Sequence, residues 1–289
     1  MLLEFSWISL RAGHFLALML SAGMAASTQL APAELRQRLG RALSRTGRGL
    51  LWINAITVTL LFGAQCGMMG NGWIDVINPA LWKIVSGTRF GLLGLVQIIL
   101  AWLTLFLACR SPLGCKALAL GAFQLVLIAG TGHSAMNSGL SGAGQQLAQS
   151  LHLLAAAGWS GGLVIFLYCL RLVRDAQWRE QSIQTMMRCS RYGHLAVVLV
   201  VAGGMFNGWL ILGWPLPWSS HYLWLLGIKI ALVIFMVALA IYNRYRLVPQ
   251  LRHDDGQVWR RFVRTTQAEL VVSVIVILLV SLFATWEPF

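Results

Sequence analysis

Long runs of apolar residues alternate with short polar connectors along this chain. Each run is about 20 residues long, which is the length that an α-helix needs to cross a hydrocarbon core about 30 Å thick. We therefore predict an all-α, polytopic membrane protein that forms a single domain over residues 1–289. Eight membrane helices are predicted, at residues 6–30, 50–70, 89–109, 113–131, 149–170, 192–212, 222–243 and 268–285.

Composition supports a membrane protein. Of the 289 residues, 58% are hydrophobic and only 11% are charged, and the mean hydropathy is +0.72. The N-terminus carries Glu4 and no basic residue ahead of its apolar run, and that run is too long for a cleaved signal peptide. We read it as the first membrane helix.

The basic residues indicate the orientation in the membrane. All but four of the 22 Lys and Arg residues lie in the first, third, fifth and seventh connectors; the four are Arg11, Lys83, Arg89 and Lys229. Because positively charged loops stay in the cytoplasm, these connectors are predicted to be cytoplasmic and both termini periplasmic. The same distribution argues against nucleic-acid binding, despite the net charge of +13, since no soluble basic domain is present.

Three of the six histidines are predicted to lie in the outer part of the membrane. These are His14 in the first helix, His133 at the end of the fourth and His152 in the fifth. A single histidine there is most simply explained by a hydrogen bond to a backbone carbonyl. Three of them, with Met136 one helical turn after His133, instead indicate a metal site. Imidazole and thioether ligands suit copper better than Mg²⁺ or Ca²⁺, which prefer oxygen.

A methionine pair ends the second predicted helix on the outer side. Met68 and Met69 are open to two interpretations. Methionines commonly fill gaps in helix cores, but thioethers also select Cu(I). On the second interpretation the pair is a loading position for the histidine site.

Four of the five cysteines fall at predicted cytoplasmic helix ends, namely Cys109, Cys115, Cys169 and Cys189. The reducing cytosol keeps such thiols free, so they could receive a soft metal ion. Cysteine is also an ordinary small buried residue, and no CxxC spacing is present. Both interpretations stay open.

Other polar residues lie in or near the predicted helices. Lys229 in the seventh helix either extends its side chain to the interface, opposes a bound cation, or pairs with Asp75 or Glu287. His194 is interpreted as structural, and the Asn243–Arg244 pair as an ordinary cytoplasmic anchor.

Taken together, these residues resemble the copper-resistance protein D (CopD) family of bacterial inner-membrane proteins. The similarity runs along the whole chain and is closest to stand-alone members without a fused periplasmic copper-binding domain. Its most specific part joins His133, His152 and the segment Trp159-Ser160-Gly161-Gly162. Weaker pieces are the early His14, RYGHLAVV around His194, Lys229, IYNRYRLVP and the terminal ATWEPF.

The resemblance implies a role in copper resistance and copper homeostasis. Members are thought to move copper across the inner membrane toward the cytoplasm, commonly with a small periplasmic copper-binding (CopC-like) partner. His14, His133 and His152 match the positions that are proposed to handle the metal in this family. The chain has no phosphate-binding loop, so we expect neither ATPase nor other enzymatic activity.

The histidines are also compatible with two other functions. Paired histidines on facing helices also suit a b-type haem, which would make the protein an electron carrier acting on copper or quinone. A protein that binds copper without moving it, as a sensor or scaffold, is the third possibility.

Overall fold

The computed structural model describes residues 2–131, 139–212, 221–250 and 256–283, and the regular elements of these residues are all helical. A 3₁₀ turn at Trp73–Asp75 follows the third helix, and a π turn at Asn243–Leu247 links the ninth to the tenth. The helices are α1 Leu2–Gln29, α2 Ala33–Ala42, α3 Ser44–Met69, α4 Pro79–Ser86, α5 Arg89–Ala108, α6 Cys115–Ile128, α7 Gly139–Leu172, α8 Arg179–Leu212, α9 His221–Tyr242, α10 Val248–Gln250 and α11 Gly256–Phe283.

The predicted all-α membrane architecture is confirmed. Within the described ranges, seven helices are long and apolar enough to cross a membrane: α1, α3, α5, α7, α8, α9 with its continuation, and α11. The remaining predicted crossing, the fourth along the chain, is α6, which is apolar but has only 14 residues. At 1.5 Å per residue it is about 21 Å long. It packs against α1, α5 and α7, so protein rather than lipid surrounds much of it.

Three helices begin well before their predicted starts. The helix predicted from 149 begins at Gly139, the one from 192 at Arg179, and the one from 268 at Gly256. Hydropathy detects only the part of a helix that lies in hydrocarbon, whereas helical hydrogen bonding continues through polar residues of good helix propensity. The 34 residues of α7 and of α8 span about 51 Å each, well beyond the apolar core.

The first connector, which is predicted to be cytoplasmic, contains a helix that was not predicted from the sequence. In α2, Leu35 and Leu39 lie one turn apart and are fully buried, while arginines occupy the opposite side. These two leucines pack in a cluster with Cys169 and Leu172 at the cytoplasmic end of α7. An amphipathic helix of this kind lies along the membrane surface rather than across it.

The helices assemble around α1. It packs against α3 and α6 on one side and against α7 and α11 on the other, so it joins the first four crossings to the last four. In the last four, α8 packs mainly on α7 and α9 on α11, with little direct contact between α8 and α9. A cavity therefore remains between these two helix pairs.

Helices α1 and α7 approach each other closely at two glycines. As the first and fifth crossings, the two helices run in the same direction. A Cβ added to Gly23 would come within 2.6 Å of the Ala157 carbonyl carbon, and one added to Gly161 within 2.5 Å of the Gly23 carbonyl carbon. Only glycine at both positions lets the backbones approach this closely, as small residues do at other membrane-helix interfaces.

This contact generates a stability prediction. Gly161→Ala should lower the apparent unfolding midpoint of the detergent-purified protein, because the added methyl group forces α1 and α7 apart at a cost of about 1–3 kcal/mol. Gly158→Ala, one turn away on the same helix, is the matched control, since a Cβ there meets nothing within 4 Å. Equal midpoints for the two variants would contradict the contact.

Candidate metal site

His14 is buried in the middle of α1. Its side chain is 4% exposed and lies beside Asn54 of α3. Its Nδ1 atom has no hydrogen-bond partner among the described residues. Twelve residues separate His14 from the start of α1, or about 18 Å along the helix.

A buried network of amides extends from Asn54. Asn54 Nδ2 donates to Gln124 Oε1 of α6 at 3.0 Å, and Gln124 Nε2 donates to Thr104 Oγ1 of α5 at 3.0 Å. Gln97 Nε2 of α5 donates to the Gln124 carbonyl at 2.7 Å. The network leaves Asn54 Oδ1 and Gln97 Oε1 without donors in the described part of the chain. With His14 Nδ1, three buried polar atoms thus retain hydrogen-bonding or ligand capacity.

His152 is held by α8. Its Nδ1 atom lies 2.9 Å from the Val200 carbonyl oxygen. A carbonyl only accepts, so Nδ1 carries the proton and Nε2 keeps its lone pair. Gly203 and Gly204 of α8 make room for the ring, since a Cβ on Gly204 would lie 3.4 Å from His152 Cε1. Anchoring one ring nitrogen to orient the other is the usual arrangement of a metal-binding histidine.

The two histidines lie at matching depths. His14 precedes Gly23 by nine residues, and His152 precedes Gly161 by nine. Since these glycines touch and the helices run parallel, both rings lie about 14 Å outward of the contact along their helices. Their polar partners differ, because His14 lies beside α3 and His152 bonds to α8. The described residues contain no group of three or more His, Cys, Asp or Glu side chains that could hold a metal.

The other two predicted ligands of this site, His133 and Met136, lie outside the described residues. In the described part of the chain, Ala129 lies four residues before His133 and is buried in one hydrophobic cluster with Leu18 and Leu153. Leu18 lies one turn after His14, and Leu153 directly follows His152. The three-histidine site with Met136 stays a prediction.

Met68 and Met69 lie apart from His14. They end α3 and are 41% and 57% exposed. Met68 is 14 residues beyond Asn54, which corresponds to about 21 Å along the helix. The pair therefore suits a surface loading position rather than direct coordination of an ion held by His14.

Lys229 of α9 lies near His152, and its proposed roles stay predictions. Asp75 is engaged elsewhere, because its carboxylate accepts from the Asn71 backbone N–H at 2.6 Å and from Asn78 Nδ2 at 2.8 Å. These hydrogen bonds hold the pKa of the Asp75 carboxyl below its usual range. Glu287 lies outside the described residues.

Glu269 was missed by the sequence analysis. It lies on α11, is 3% exposed, and accepts from Trp159 Nε1 at 2.7 Å and from Asn243 Nδ2 at 3.5 Å. Asn243 Oδ1 in turn accepts from Thr265 Oγ1 at 2.5 Å. In the sequence, Glu269 is an acidic residue inside an apolar run, and such residues are rare unless they have a function. The interpretation of Asn243 as an ordinary anchor was wrong, since its side chain is buried in this network.

Glu269 borders the cavity between α7, α8, α9 and α11. The cavity measures about 1390 Å³, and its wall also includes Trp159, His194 and Cys189. Three arginines line its cytoplasmic end, namely Arg174, Arg179 and Arg244. His194 Nδ1 donates to the Ser190 carbonyl at 2.7 Å, so this histidine also presents a free Nε2.

Comparison with known proteins identifies the family. Residues 1–143 match the family model for the N-terminal domain of copper resistance protein D-like proteins, and residues 183–283 match the model for copper resistance protein D. The chain is 39% identical to the inner membrane protein YebZ of Escherichia coli K12, over all of both chains. The chain belongs to the copper resistance protein D family.

A second relative extends this result. Copper resistance protein D of Pseudomonas syringae pv. tomato is 30% identical over 261 residues, which cover 85% of this chain and 83% of the relative. No solved structure matches the chain significantly. This member of the copper resistance protein D family is thus a copper-related, multi-pass inner-membrane protein, as the sequence predicted.

The Glu269 network generates a second stability prediction. Glu269→Leu should lower the unfolding midpoint in detergent, because it leaves Trp159 Nε1 and Asn243 Nδ2 buried without an acceptor, at about 1–3 kcal/mol. Glu269→Gln keeps an acceptor for Trp159 and should lose less. If Glu269→Leu matched or exceeded the wild-type midpoint, the carboxylate would not be a stabilising acceptor.

Proposed function

We propose that this protein carries copper across the inner membrane, from the periplasm toward the cytoplasm. One observation carries the proposal: a buried and a partly buried histidine, on parallel helices at matching depth, each present a ring nitrogen that has no hydrogen-bond partner among the described residues. In a member of the copper resistance protein D family, copper is the ion that such nitrogens would bind.

The proposed site combines nitrogen and sulfur donors. His14, His133 and His152 supply imidazole nitrogens and Met136 a thioether, while the exposed Met68 and Met69 receive Cu(I) at the outer surface. The described part of this site contains no carboxylate or thiolate. Neutral ligands bind copper more weakly than anionic ones do, which suits an ion that must be released during transport.

The inward route leads toward the cytoplasmic cavity. His152 lies about 10 Å outward of Trp159 along α7, and Trp159 lines that cavity together with Glu269. We propose no enzymatic step, so the driving force comes from the copper gradient, the membrane potential or chelation in the cytosol. A small periplasmic copper-binding protein of the CopC-like type is the proposed partner on the outer side.

A b-type haem is the competing hypothesis, since an oriented imidazole with a free Nε2 also suits iron. The 1390 Å³ cavity is large enough for an organic cofactor, yet of the described histidines its wall includes His194 and neither His14 nor His152. This arrangement favours copper as the ion bound by the outer pair. A Soret band of stoichiometric intensity in the purified protein would overturn the copper carrier in favour of electron transfer.

Uptake into proteoliposomes tests the transport proposal. Vesicles loaded with a Cu(I) chelator should take up Cu(I) with the wild-type protein, and His14→Ala or His152→Ala should slow uptake about tenfold or more, because each removes a ligand. His221→Ala is the matched control, since this exposed histidine begins α9 away from the proposed site.

Two results would contradict the proposal. Uptake no faster than in protein-free vesicles would favour a copper-binding sensor or scaffold. Uptake at the wild-type rate in both histidine variants would show that copper crosses without the outer site.

A further inference from the structure

We propose that Cys169, Cys189 and Met186, with Met24 beside them, form a second copper site at the cytoplasmic end of the bundle, where Cu(I) is held before release. This inference rests on the proposed passage of copper through the protein. It concerns different residues on the opposite side of the membrane.

The buried half of this sulfur cluster joins three helices. Cys169 of α7 is 0% exposed and packs in one cluster with Met24 of α1. Met186 of α8 is partly buried against the same cluster. Residues that are far apart in sequence thus bring a thiol and two thioethers together.

The second thiol connects this cluster to the cavity. Cys189 lies three residues after Met186, so both point to one side of α8. Cys189, Met186 and the neighbouring Met187 line the 1390 Å³ cavity, as does His194. The cluster therefore has one thiol in the protein core and one on the cavity wall.

Helix α2 closes the cluster from the cytoplasm. Leu35 and Leu39 pack over Cys169, Glu34 Oε2 accepts from Gln181 Nε2 at 2.9 Å, and the Arg38 guanidinium lies 4.8 Å from the Trp178 ring centre. An ion that reaches Cys169 therefore enters and leaves through the cavity, past Cys189.

The donor set selects Cu(I). Thiolates bind both Cu(I) and Zn²⁺, whereas the thioether of Met186 favours Cu(I). Binding of one Cu(I) by two thiols forms two Cu–S bonds and releases two protons into the cavity water, with no change of oxidation state. The resulting complex carries one negative charge, which the arginines at the cavity mouth stabilise.

The remaining cysteines do not share this arrangement. Cys66 lies in the outer half of α3, and Cys115 donates its thiol to Gln29 Oε1 at 3.4 Å. Cys109 and Cys115 are both at cytoplasmic helix ends, so they provide a matched pair of control substitutions.

Cu(I) competition under reducing, anaerobic conditions tests the site. The purified His14→Ala/His152→Ala variant isolates binding that is independent of the outer histidines. Adding Cys169→Ser and Cys189→Ser should weaken its remaining Cu(I) affinity at least about tenfold, whereas adding Cys109→Ser and Cys115→Ser should leave it unchanged. Equal affinity in the two quadruple variants would overturn the site.

A second measurement uses the wild-type chain, so a folding defect cannot obscure the result. Cu(I) should slow maleimide labelling of Cys189, read by peptide mass spectrometry, and leave labelling of Cys115 unchanged. Equal labelling with and without Cu(I) would overturn the site. If Cu(I) protected Cys189 but vesicles took up no copper, only the transport proposal would be contradicted. If vesicles took up copper but Cu(I) did not protect Cys189, only the inner site would be contradicted.

Discussion

The backbone contact between Gly23 and Gly161 sets the geometry on which the rest of the structure depends. It fixes how far α1 and α7 slide along each other, and thereby aligns His14 with His152. Because α1 also packs against α3, α6 and α11, a shift at this contact would also move His14 relative to the amide network that begins at Asn54. Packing of these small residues therefore determines where the proposed metal-binding side chains lie.

The polar side chains above and below this contact form two chemically different groups. Toward the outside, imidazoles and amides offer neutral donor and acceptor atoms without a carboxylate among the described residues of that network. Toward the cytoplasm, Glu269 and the thiols of Cys169 and Cys189 lie beside or behind a wide cavity. Ligands that change from neutral nitrogen to anionic sulfur bind Cu(I) more tightly along this direction, which would draw the ion inward.

Much of the fold could be predicted because it follows from solvent preference alone. The apolar runs predicted the membrane helices, and the arginines predicted which connectors lie on the same side of the membrane. Helix α2 was missed because its two buried leucines stand out only when the 3.6-residue helical period is examined within a charged connector. The pairing of His14 with Asn54, and of His152 with α8, depends on the rotation of each helix about its axis, which hydropathy does not encode. Glu269 was visible as a charge in an apolar run, but its partners Trp159 and Asn243 come from distant segments and could not be assigned from spacing.

The central claim is that the imidazoles of His14 and His152 bind copper. Structure determination of the Cu(I)-loaded protein, with anomalous scattering measured at the copper edge, tests it most directly. The account predicts a copper peak within bonding distance of His14 Nδ1 or of His152 Nε2. A copper peak bonded to neither ring would contradict it.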